Sequence, residues 1–160
     1  MNNAILCLGL LVLGGFSARA QSVANVTNVY QRWLEQDVIY LIAPEERVAF
    51  LALTSEAERE RFIEQFWLRR DFVPQTEENE FRDRHYQRMA QANMLYGFGK
   101  RAGWETDRGR IFILYGEPDE VQQDGIHETW LYNSRPIFRG NAKFQFTDLN
   151  RTGEYRLRQQ

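Results

Sequence analysis

Apolar residues recur at helical spacing along most of the chain and then alternate along its last third, and the change falls at residues 103–109. From Asn25 to Gln36 the positions Val26, Val29, Tyr30 and Trp33 follow a helix, with Asn25 as its cap. The run Val38-Ile39-Tyr40-Leu41-Ile42 reads either as a short buried strand, the preferred reading, or as the tail of that helix. Pro44 at a first-turn position, with Glu45 and Glu46 behind it, starts a short helix that ends near Leu51. Ser55 with Glu58 three residues on forms a capping box, and Phe62, Ile63, Phe66 and Trp67 make one stripe on a helix reaching Arg70. Pro74 stops it. Thr76 is expected to cap a further helix in which Phe81, His85, Met89, Ala92 and Tyr96 form a second stripe, closed by Gly97 and Gly99.

Beyond residue 109 four strands are expected: Arg110 to Tyr115, Ile126 to Tyr132, Lys143 to Thr147 and Glu154 to Arg158. Asp124-Gly125 supplies a tight turn, and Asp148 to Gly153 a longer hairpin loop. Consecutive strands with short links favour an antiparallel meander. The expected fold class is therefore α+β, with N-terminal helices packed on a C-terminal sheet of about four strands.

The length of 160 residues and a hydrophobic fraction of 43% suit one domain. Its first twenty residues are set apart. Ile5 to Phe16 is apolar but too short to span a bilayer comfortably, and Ala18-Arg19-Ala20 offers the small residues that a signal peptidase reads. Residues 1–20 are thus expected to be a signal peptide cleaved before Gln21, with an uncleaved anchor as the alternative because no Lys or Arg precedes the apolar run, and a single domain with no later membrane span is expected over 21–160. The one cysteine, Cys7, lies within the leader and would leave with it, so no disulfide, thiol nucleophile or thiolate metal site is expected. The net charge of −2 becomes −3 without Arg19, and the charges are interspersed, which argues against a nucleic-acid partner.

At the junction, Gly103 and Gly109 bracket what reads as a sharp reversal between a helix end and a strand start. Trp104 is expected to bury between the last helix and the sheet, its indole N–H bonded to a carbonyl in the turn, while the short side chains of Thr106 and Asp107 hold the loop. Arg108 and Arg110 are the nearest charge partners for Asp107 or Glu105, and Gly116-Glu117-Pro118-Asp119 reads as a turn in which Asp119 bonds the backbone.

The block Gly103-Trp104-Glu105-Thr106-Asp107, running through Arg108 and Gly109 to Asp119, resembles the bacterial GWxTD family. Similarity extends upstream to Pro44-Glu45-Glu46-Arg47, Phe62 to Trp67 and Asn79-Glu80-Phe81, and downstream to Trp130-Leu131-Tyr132 and Gly153 to Leu157. The resemblance implies an exported bacterial protein and carries no activity, catalytic residue, cofactor or ligand with it.

Candidate chemistry is sparse. His85 sits within an apolar helical stripe and reads as a core histidine, His127 as an exposed strand residue, and neither has further ligands at metal-binding spacing. Asp107 and the Glu117–Asp119 group could act as paired carboxylates of a small hydrolase or sugar-binding protein on envelope polymers. The span of the expected first strand separates them. Asp148 to Gly153 imitates the opening of a calcium loop, but Gln159 stands where the bidentate acid is required. The expectation is therefore a non-enzymatic, periplasmic or secreted interaction module without cofactor or metal, whose partner is an envelope protein. Tyr132 and Phe138, on and beside the Asn133 to Asn141 loop, are its expected contacts.

Overall fold

The computed structural model describes residues 29–158, and the expected signal segment, Cys7 and Asn25 lie outside them. A helical first half precedes a four-stranded antiparallel sheet, an α+β arrangement as expected. Residues 29–32 are helical and run into a π-helical turn, Trp33–Asp37, in which the Val38 amide donates to the Trp33 carbonyl at 3.0 Å. Helices α1 (Pro44–Leu51), α2 (Glu56–Leu68) and α3 (Glu80–Tyr96) follow. A 3-10 turn, Gly103–Glu105, leads into α4 (Asp107–Tyr115). Strands β1 (Glu120–Asp124), β2 (His127–Arg135), β3 (Gly140–Thr147) and β4 (Arg156–Leu157) complete the chain in the spatial order β1-β2-β3-β4.

Local signals place most helix ends. The Ser55 hydroxyl accepts from the Glu58 amide at 3.3 Å while the Glu58 carboxylate accepts from the Ser55 amide at 2.9 Å, the reciprocal pair that the capping box needs. Asn79, rather than Thr76, caps α3. Its Oδ1 accepts from the Arg82 amide at 2.8 Å and its Nδ2 donates to the Trp67 carbonyl at 2.9 Å, so one side chain serves the ends of two helices.

Two apolar clusters result. Trp33, Leu34, Val38, Phe50, Phe66 and Trp67 pack together, with Trp33 in ring contact with Phe50 (4.9 Å) and Phe66 (5.2 Å). Met89, Ala92, Ile111, Phe112, Ile113, Trp130, Tyr132 and Phe146 form the other. The α3 stripe joins them, since Phe81 and His85 lie against Trp67 whereas Met89 and Ala92 belong to the second cluster.

Two further expectations fail. Val38–Ile42 is a turn, not a strand: the Leu41 and Ile42 amides both donate to the Val38 carbonyl, at 2.8 and 2.9 Å. Arg110–Tyr115 is helical, because Thr106 caps the segment with its hydroxyl and Ile111, Phe112 and Ile113 are all buried, a distribution that a two-sided strand pleat does not require. The first strand is instead β1, whose residues are all exposed and whose single apolar member, Val121, offers no alternation to read. In the sheet, Val121 opposes Trp130 and Trp130 opposes Phe144, while Tyr132 opposes Ala142 and Glu128 opposes Phe146. These residues share the face turned to α3 and α4.

Two ionisable groups fasten the helical half. The His85 imidazole Nε2 lies 2.6 Å from the Asp37 carbonyl at the end of the π-helical turn, and burial pushes its pKa below the ordinary value of 6.5. The Glu46 carboxylate is partly desolvated, which opposes ionisation, yet it accepts from Arg70 (2.7 and 3.2 Å), the Ala43 amide (3.1 Å) and Arg69 (3.0 Å), and its pKa falls to about 2.

Their pH signatures differ. A histidine whose folded pKa is depressed leaves the unfolded chain with more bound protons, so its stability contribution is complete above pH 6.5 and declines as the pH falls below it. His85→Gln should flatten the stability profile between roughly pH 5 and 7 in urea titrations. Glu46 contributes above pH 4.5 and loses its contribution as the pH falls through about 2. Glu46→Gln should cost about 1–2 kcal/mol at neutral pH, a value kept low by screening at a site that water still reaches, with the cost shrinking as the pH falls through about 2.

Candidate functional site

Gly103 and Gly109 keep negative φ, so the sharp reversal expected of them is not their role. Both permit close approach. A Cβ on Gly103 would stand 1.8 Å from the Ala92 carbonyl oxygen of α3, and a Cβ on Gly109 would stand 1.8 Å from the Gly103 carbonyl oxygen. The motif thus stacks α4 on the 3-10 turn and the turn on α3, backbone against backbone. Positive φ is instead found at Gly116 (83°), which ends α4 against the Arg88 guanidinium.

The remaining motif residues tie this stack to other segments. The Thr106 hydroxyl donates to the Gly103 carbonyl at 2.8 Å and accepts from the Gly109 amide at 3.1 Å. Trp104 is half-buried against the second cluster; its amide donates to Asn93 Oδ1 at 3.0 Å, and its carbonyl accepts from the Tyr40 hydroxyl at 2.7 Å. Asp107 reaches farther than expected: its Oδ2 accepts from the Leu157 amide of β4 at 2.8 Å, and Arg110 approaches its other oxygen at 3.7 Å. Arg108 pairs with Glu128 at 3.4 Å, not with Asp107 or Glu105, and its guanidinium lies over the Tyr155 ring at 4.3 Å. Glu128 in turn accepts from the Trp130 indole at 2.8 Å, which satisfies a buried carboxylate from two sides.

The acids beyond α4 are also structural in geometry. After Pro118, the Asp119 amide donates to the Leu131 carbonyl, while its carboxylate accepts from the Asn133 amide at 2.6 Å and from Arg135 at 2.8 Å. Asp107 opens a nine-residue helix, about 13 Å long at 1.5 Å per residue, and Asp119 follows its far end, whereas carboxyls that cooperate on a glycoside lie within about 10 Å. Asp148 accepts from the Thr152 and Gly153 amides at 3.0 and 2.7 Å, closing the loop that imitates a calcium site. Among the described residues no group of three or more histidine, cysteine or acidic side chains is placed to hold a metal ion. No helix among them is long and apolar enough to cross a membrane.

Tyr132 and Phe138 do not form an outward contact. Tyr132 is 0% exposed and donates its hydroxyl to the Gly116 carbonyl at 2.9 Å; Phe138 folds back onto Tyr115, with ring centroids 4.6 Å apart. Packing explains both, because the sheet's inner face needs a cover at the end of β2 and the 3-10 turn Pro136–Phe138 supplies it. His127 is half-buried, with Nδ1 2.9 Å from the Thr147 hydroxyl.

A concave surface lies elsewhere. The end of α2 and the loop 69–79 enclose a groove of about 410 Å³, with Ile63, Trp67, Leu68 and Pro74 as apolar lining and Glu60, Glu64, Asp71 and Glu77 around it. Of the lining, Leu68 is 48% exposed, and Phe72 (80%) and Val73 (42%) stand exposed in the same loop, between the lining residues Asp71 and Pro74. Asn79, the Asp71 carboxylate on the Val73 amide (2.9 Å), and the Thr76 hydroxyl, 2.9 Å from the Val73 and Glu78 carbonyls, keep the loop in shape. In the sequence Leu68 and Phe72 stand four apart across a helix end, and that spacing alone does not distinguish a core position from an exposed one.

If the motif serves packing, Gly103→Ala should cost at least about 3 kcal/mol, since helix backbone and not a flexible side chain must move. Gly125→Asn, in open space at φ 61°, should cost less than about 1 kcal/mol; denaturant midpoints compare the two.

No curated protein and no solved structure matches the chain. A family model described as the GWxTD domain matches residues 20–160, most of the sequence, and this chain belongs to that family.

Proposed function

We propose that the protein is a non-enzymatic interaction module of the bacterial envelope, brought there by its N-terminal apolar segment and engaging a protein partner through the α2 groove. The observation that carries this reading is the run of exposed apolar side chains, Leu68, Phe72 and Val73, beside a groove floored in part by Trp67. Covering Phe72 alone would contribute about 2 kcal/mol. The motif carboxylates meanwhile hold backbone amides, a structural use that fits a scaffold. Export is supported by the Ile5 to Phe16 run and by Ala18-Arg19-Ala20.

A photo-crosslinking residue placed at Phe72 should yield a discrete protein adduct in the cells that natively produce this chain. The same residue at Leu149, 77% exposed on the β3–β4 loop, should not. Equal or absent adducts at the two positions would reject the reading. Protein recovered from the envelope should begin at Gln21, and an intact Met1 in the cytoplasm would argue against export.

A further inference from the structure

We propose that the α2 groove receives a cationic amphipathic segment of the partner, an inference that rests on the interaction reading above. Apolar and acidic side chains line it together. Glu64 and Glu77 enter no ion pair among the described residues, and the one cation at the rim, Arg82, is paired with Asp83 at 3.0 Å. The arginines of α2 and its end are turned to other tasks: Arg69 and Arg70 hold Glu46, Arg59 donates to the Leu53 carbonyl, and Arg61 donates to the Ala57 carbonyl.

Glu64 and Glu77 therefore face solvent at an apolar concavity without a paired cation. Glu60 and Asp71 add negative charge beside them while accepting from the Tyr30 hydroxyl (3.4 Å) and the Val73 amide (2.9 Å), and the resulting field favours lysine or arginine flanking a large apolar side chain. An acidic segment would meet like charge, and a neutral one would leave that field unanswered. The chain's own residues 21–28 contain no charged side chain and so lack the required complement. Because Asn79 and Asp71 fix the loop, little ordering is required of this side of the complex.

The test uses the purified protein and two synthetic amphipathic peptides of identical pattern, one of leucine and lysine, one of leucine and glutamate. Calorimetry should give the lysine peptide a Kd of roughly 10–100 μM, weakened by added salt, and the glutamate peptide no measurable heat. Glu64→Gln with Glu77→Gln should weaken binding at least ~10-fold, whereas Glu120→Gln with Asp124→Asn, which changes net charge equally on exposed β1, should leave it within ~2-fold.

Equal loss from both pairs would reduce the effect to diffuse attraction and overturn the proposal, as would binding of the glutamate peptide or of neither. A concentration-dependent dimer in sedimentation, dispersed by the Glu64 and Glu77 variant, would make a second copy the occupant and also overturn it. If Phe72 crosslinks to a partner while the lysine peptide fails, only the cationic assignment falls. If both fail, the interaction reading falls with it.

Discussion

The close stacking of Gly103 on α3 and of Gly109 on Gly103 is the constraint from which the rest of the architecture follows. Two approaches that would put a methyl group within 1.8 Å of a backbone oxygen bring three backbones into contact with no side chain between them. Glycine inside a helix costs about 1 kcal/mol relative to alanine, so Gly109 is tolerated in α4 for the proximity it permits. Once the stack exists, the atoms around it become anchoring points for distant segments. Tyr40 reaches the Trp104 carbonyl from the N-terminal turn, Asn93 holds its amide from α3, and Asp107 fixes the short strand β4 through the Leu157 amide. A strand of two residues has few ladder bonds of its own, which makes that last bond consequential.

Several acids in the interior are held by hydrogen-bond donors on more than one side. Glu128 lies between the Trp130 indole and Arg108, and Glu46 between two arginines and the Ala43 amide, so each carboxylate meets donors from more than one side. His85 ties α3 to the π-helical turn through the Asp37 carbonyl that the turn presents. Against this background the groove on α2 combines an exposed apolar residue, Leu68, with two acids, Glu64 and Glu77, that enter no ion pair among the described residues. That contrast motivates the docking function and the cationic partner proposed for it.

Much of the helical half was legible because its signals are local. The Ser55 and Glu58 box, Pro44 at a first turn and the five-residue stripe of α3 lie within a few residues of the structure they specify. Thr106 was legible as a backbone-bonding residue, but the segment it caps was misread. Ile111-Phe112-Ile113 is apolar without interruption, and such a run has no period by which helix and strand can be told apart. Strand β1 escaped for the opposite reason: its residues are nearly all polar and sit at a sheet edge, paired on one side only, with β2.

The amino-acid sequence by itself determined the class of the fold, the positions of most helix starts and the family, because caps, stripes and a continuous motif are written in neighbouring residues. Tertiary structure alone decided that the motif glycines mark a contact and not a reversal, that Tyr132 faces inward, and that Trp67, Leu68 and Glu77 share a groove. Each of those facts depends on which backbone or surface lies opposite. That is a relation between residues far apart in the chain, and no local pattern encodes it.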